Sequence, residues 1–136
     1  MKALTVRHPW AQCIASGRKT IENRTRQVSY RGPLAIHTSA RGFDEMALLN
    51  PIVLEALMDV RGASWHHGRI IAVATLADCH RCDGACSPWA EAGAWHLELA
   101  DIRALSHGVT AKGQLGLWTP DEATTRRIAA QLEADR

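Results

Sequence analysis

Residues 70–76 read Ile-Ile-Ala-Val-Ala-Thr-Leu, an apolar, β-branched run without polar alternation. Branched side chains suit a pleated strand, and a strand with no polar face must be covered on both sides. The fold is therefore expected to be built on a sheet in which this strand is buried front and back. Its neighbours are legible as alternating segments. Lys2–Arg7 puts Leu4 and Val6 on one face, and Leu34, Ile36 and Thr38 alternate with Ala35, His37 and Ser39. Trp95, Leu97 and Leu99 alternate with His96, Glu98 and Ala100 in a strand running to about Leu105, and Gln114–Trp118 is a last strand.

Helices are expected between and after these strands. Pro9 suits a first helical position, and Trp10, Cys13 and Ile14 give one apolar face up to Gly17, a fitting residue for the left-handed position that ends a helix. From residue 42 to 59, Phe43, Met46, Ala47, Leu49, Val53, Leu54, Leu57 and Met58 recur at helical spacing, interrupted by Asn50-Pro51, which gives two short helices or one broken helix. Thr119-Pro120-Asp121-Glu122 reads as a capping box with proline at the first helical position, opening a helix striped by Ala123, Ile128, Ala129 and Leu132. Arg26–Gly32, Arg61–Gly68, Cys79–Gly93 and Ser106–Lys112 read as turns and loops. The fold class is α+β: one domain over residues 1–136, a small mixed or antiparallel β-barrel with peripheral helices. No run approaches the ~18 apolar residues of a membrane helix, and no apolar leader opens the chain, so a cytoplasmic protein without a membrane partner is expected.

Chemistry concentrates in one octet, Gly17-Arg18-Lys19-Thr20-Ile21-Glu22-Asn23-Arg24. Read as a corner followed by a strand, it puts Thr20, Glu22 and Arg24 on one face and lets the Lys19 stem reach across that face. A net charge of +2 conceals an asymmetry around it. Residues 1–41 carry eight Lys/Arg and the single acid Glu22, while residues 42–136 carry eight Lys/Arg and thirteen Asp/Glu. A basic segment on an otherwise acidic domain is the footprint of a phosphate-bearing partner.

The octet also carries a resemblance. Gly17-x-Lys19-x-x-Glu22-x-Arg24 resembles the GxKxxExR signature of the ASCH domain family, part of the PUA-like superfamily. Three further blocks are similar in the family's order: Leu4–Ala11, Tyr30–His37 and Lys112–Trp118. The resemblance implies a PUA-like barrel with a nucleic-acid site in a cleft beside the signature. In the acylcytidine amidohydrolases of that superfamily, a threonine nucleophile follows the signature lysine by three residues. Here that position is Glu22, a departure that argues against amide hydrolysis.

Two other groups of residues stand out. With one Phe and one Tyr in the chain, tryptophans carry the stacking potential, and Trp10 and Trp89 are the candidates for a base platform. Cys79-x-x-Cys82-x-x-x-Cys86, with His80 inside it and His66-His67 before it, could in principle supply zinc ligands. A single such spacing does not assign a metal, the resemblance requires none, and the four cysteines are expected to be reduced. No cofactor is expected.

These readings converge on binding of nucleic acid, RNA favoured over DNA, or of a nucleotide or nucleoside. The binding candidates are Arg7, Trp10, Lys19, Glu22, Arg24, Arg26 and Arg31. The alternatives are a hydrolase of the same fold (a ribonuclease or modified-nucleoside amidohydrolase using Lys19 and Glu22) and a protein-interaction adaptor.

Overall fold

The computed structural model describes residues 1–136. Six strands form one mixed sheet: β1 (Lys2–His8), β2 (Ile21–Arg24), β3 (Gly32–Phe43), β4 (Arg69–His80), β5 (Trp95–Thr110) and β6 (Leu117–Trp118). Their order across the sheet is β2-β5-β4-β3-β1-β6. Only β1 and β3 run parallel, and the other four pairings are antiparallel. Three α-helices lie around the sheet: α1 (Trp10–Ala15), α2 (Pro51–Leu57) and α3 (Glu122–Ala134). The expected α+β architecture is present, but the sheet remains open, since β2 and β6 do not pair with each other.

The apolar run at 70–76 lies inside β4, flanked by β3 and β5. It is buried on both faces because two cores meet across it. Ile71, Ala74 and Leu76 join Leu4, Val6, Ile14, Leu34, Ile36 and Leu97 in the main core. Ile70 faces the opposite way, toward Ala35, Leu105, Val109, Trp118 and Ile128 of α3. A third cluster, Cys13, Ala47, Val53 and Ala56, packs the underside of α1 against α2. Burial pushes the Cys13 thiol up to about 11, so it behaves as a small apolar side chain and not as a nucleophile.

Several local expectations are corrected. Pro9 is the N-cap of α1, one position before the first helical residue. Phe43 ends β3, and the apolar stretch after it divides into a 3₁₀ turn at Glu45–Leu49 and α2, which is capped by the Asn50 side chain accepting from Ile52 N. Asp121 caps α3 by accepting from Thr124 N at 2.7 Å, so Pro120 precedes the cap. The last strand shrinks to two residues. The largest change is at Ser106–Lys112, where β5 continues to Thr110 through bulges against β4. Gln131 of α3 makes this possible: its Oε1 accepts from His107 N (2.8 Å) and Gly108 N (2.9 Å), and its Nε2 donates to Gly108 O (3.1 Å). A side chain distant in sequence satisfies backbone groups that the bulge takes out of the ladder.

A polar relay ties β1, β3 and β6 together. Trp118 Nε1 donates to Thr5 Oγ1 (3.2 Å), whose hydroxyl is then free to donate to His37 Nδ1 (3.1 Å), while His37 Nε2 donates to the Ala111 carbonyl (2.7 Å). Gly113 passes so close that a Cβ there would sit 2.7 Å from Thr5 Oγ1 and 2.8 Å from His37 Cε1, a space only glycine fits. The relay uses a neutral imidazole, and burial accordingly lowers the His37 pKa. Burial, and then the neighbouring His67, lower that of His8. Both folded values lie below the unfolded value of ~6.5, so the unfolded chain takes up protons first as pH falls. Stability is full above ~6.5 and declines below it, toward the lower folded pKa values. The urea midpoint is expected to drop between about pH 7.5 and 5.5, with a smaller drop in His37→Gln. A midpoint independent of pH over that interval would contradict the assignment.

Candidate functional site

A cleft opens where the sheet fails to close. β6 pairs only with Ala3 and Leu4, leaving the outer edge of β1 from Thr5 to Arg7 unpaired. β2 comes up to that edge, and one side chain spans the gap: Arg24 Nη2 donates to Thr5 O at 3.0 Å. Thr5, Val6 and Arg7 form one wall, Glu22–Thr25 the other, and Trp10, Lys19, Asn50 and Pro88–Glu91 complete the lining. The volume is about 440 Å³, in the range of small-ligand sites.

The octet builds the floor. Gly17 has φ of +86°, turning the chain out of α1 as expected for a residue past a helix end. Lys19 N then donates back to Cys13 O (3.1 Å), fixing the corner before β2 starts. Lys19 does not swing over an open face: it is 2% exposed. Its Nζ donates to Ile21 O, lies 3.4 Å from Glu22 Oε1, and sits 5.5 Å and 5.7 Å from the ring centroids of Trp10 and Trp89. An ammonium this deep persists only when paired and hydrogen-bonded, and two indole faces add cation–π attraction. Arg24 Nη2 donates to the other Glu22 oxygen at 2.8 Å. With its side chain 10% exposed, Glu22 is held between two cations inside the cleft and is not part of a solvated surface pair. Both carboxylate oxygens face donors, which fixes the side chain as an acceptor in the cleft wall.

The walls carry the aromatic groups. Trp10, half-buried at the start of α1, is anchored by Nε1 donating to Asp44 Oδ2 (3.1 Å). Trp89 comes from the irregular loop and is held by Asn23, whose Nδ2 donates to Trp89 O (2.8 Å) and whose Oδ1 accepts from Glu91 N (2.9 Å). Asn23 is the residue sequence reasoning missed. It lay inside the octet, but its role depends on a loop almost seventy residues away returning to β2.

Arg7, Trp10, Lys19, Glu22 and Arg24 thus surround one cleft. Arg26 and Arg31 are exposed and lie outside its lining. Arg31 is engaged elsewhere, donating to the Val28 and Tyr30 carbonyls (2.8 Å each) and lying 3.7 Å from Asp78. Thr20 is also outside: it is exposed, and its carbonyl accepts from Leu99 N at 2.8 Å.

The cysteine triplet divides. Cys79 is in β4, buried in the main core, where its sulfur accepts from Val28 N (3.4 Å). Cys82 and Cys86 are joined as a disulfide, contrary to the expectation of four reduced cysteines. No helix is long and apolar enough to cross a membrane.

The model of the family described as "ASCH domain" matches residues 4–112, an interval that contains every residue of the cleft. Among curated proteins, none matches the chain.

Proposed function

Because the chain belongs to the ASCH domain family, with a PUA-like fold often linked to RNA binding, we propose that the cleft binds single-stranded nucleic acid, RNA in preference to DNA. The observation that carries this reading is the meeting of the buried Lys19 and Glu22 with Arg24 and two tryptophans in one cleft. Each part suits a portion of a nucleotide. Indole faces stack on a base irrespective of its identity. A carboxylate fixed between cations accepts from an exocyclic amine, and lysine or arginine donates to a base carbonyl or a phosphate. Arg7, exposed at the rim, is placed for the backbone of a strand leaving the cleft.

The test is binding of labelled single-stranded RNA to the whole chain across a salt series. Affinity is expected to fall linearly on logarithmic axes, with a slope of about −0.7 per phosphate neutralised. Arg7→Ala should weaken every RNA to a similar extent and reduce the slope by roughly that amount. Affinity independent of salt would remove the phosphate contact. Accumulation of RNA fragments, or of cytidine from an acylated cytidine, would favour the hydrolase reading.

A further inference from the structure

We propose that Cys82, Cys86, His96 and His80 form a binding site for a zinc-class metal ion once the Cys82–Cys86 disulfide is reduced, and that the site tethers the loop carrying Trp89. His80 and His96 are directly opposed across the β4–β5 ladder, with rings 5.6 Å apart. The intervening loop folds back so that both sulfurs meet the same histidine. Cys82 Sγ lies 3.5 Å and Cys86 Sγ 3.8 Å from His96 Nδ1. Tetrahedral zinc, with Zn–S of about 2.3 Å and Zn–N of about 2.0–2.1 Å, puts sulfur and nitrogen ligands ~3.5 Å apart. A ring nitrogen of His80 lies within 4.8 Å of the ligand atoms of Cys86 and His96.

His96 is prepared for this role. It is fully buried, and its Nε2 donates to the Glu91 carbonyl at 2.6 Å, which leaves Nδ1 as a bare lone pair aimed at the sulfurs. A backbone carbonyl holding the far N–H is the usual outer partner of a ligating histidine. Asp78 and Glu98 approach His80 Nδ1 at 3.4 Å and 3.8 Å and supply the corresponding partners there. The site is distinct from the set Cys79, Cys82 and Cys86 suggested by spacing, because Cys79 is committed to the core.

Metal and disulfide exclude each other. A thiol or phosphine reductant delivers two electrons, and with two protons the S–S bond becomes two thiols. The divalent ion then displaces those protons as it binds the two thiolates and two neutral imidazoles. Either state closes the loop at its base. Glu91, bonded to His96 through its carbonyl and to Asn23 through its N–H, carries that closure to the wall bearing Trp89.

The full chain, reduced with a phosphine and cleared of it, is titrated with Co²⁺ as the probe. The expected result is saturable binding of a single ion, with the visible bands of tetrahedral coordination and a thiolate charge-transfer band, all abolished by added Zn²⁺. Cys86→Ser and His96→Gln should each weaken binding at least tenfold, and Cys79→Ser should leave it unchanged. The wild-type spectrum decides the matter even if a variant misfolds. A Co²⁺ spectrum without a thiolate band would overturn the proposal, as would equal binding by the oxidised chain or by Cys86→Ser.

Discussion

Glu22→Gln is expected to lower affinity for single-stranded RNA about tenfold or more and to destabilise the fold by ~1–3 kcal/mol. The amide cannot accept at both positions, so one of its ends presents a donor to Lys19 or Arg24, each already a donor. Glu22→Ala goes further. It strips the counter-charge from a lysine that is 2% exposed, and removal of one partner from a buried pair typically costs about 3–5 kcal/mol. Urea unfolding and RNA binding measured on the same preparations separate the two effects. If Glu22 belonged to a solvated pair, both substitutions would change stability by less than ~1 kcal/mol and leave binding intact. If it were a general base, glutamine would abolish turnover while binding stayed largely as in the wild type. The geometry, with each oxygen facing a cation, favours loss of binding.

Trp89→Ala should weaken RNA binding by about 1–3 kcal/mol, roughly five- to 150-fold, with a small effect on global stability. Trp89 is half-buried in an irregular loop and belongs to the partly buried margin of the smallest core cluster. Its loss removes a face of the cleft and one of the two rings around Lys19 Nζ. Trp95 is the control. It lies near Arg81, with its ring centroid 4.7 Å from the guanidinium, outside the cleft lining, so Trp95→Phe should bind RNA as the wild type does. Equal losses in the two variants would mean that the tryptophans act through the fold rather than through contact with a base.

The sequence was informative wherever short-range rules decide the outcome. A run without a polar face had to become the strand covered on both sides, and β4 is that strand. Gly17 marked the end of α1, and the spacing of Lys19, Glu22 and Arg24 within one corner and strand was enough to bring them together. It was uninformative where a distant partner decides. Ser106-His107-Gly108 has the composition of a turn and becomes strand because Gln131 supplies the hydrogen bonds. Arg31 looked like part of the basic face, but Asp78 and its own turn hold it. The cysteines show both cases. Spacing grouped Cys79 with Cys82 and Cys86, whereas β4 turns Cys79 into the core and the loop after it folds the other two onto His96. The openness of the sheet, which creates the cleft, depends on β6 reaching only Ala3 and Leu4, and no local pattern encodes that length.

Entry of a base into the cleft between β1 and β2 is reported directly by the five indole N–H resonances of the ¹⁵N-labelled chain. Trp10 and Trp89 border Lys19 in the cleft, Trp118 is buried beside His37, and Trp65 and Trp95 lie outside the lining. On titration with a short single-stranded RNA, Trp10 and Trp89 should shift together and saturate with one dissociation constant, while Trp65, Trp95 and Trp118 stay in place. Shifts confined to the other three, or binding that leaves Trp10 and Trp89 unmoved, would contradict the account.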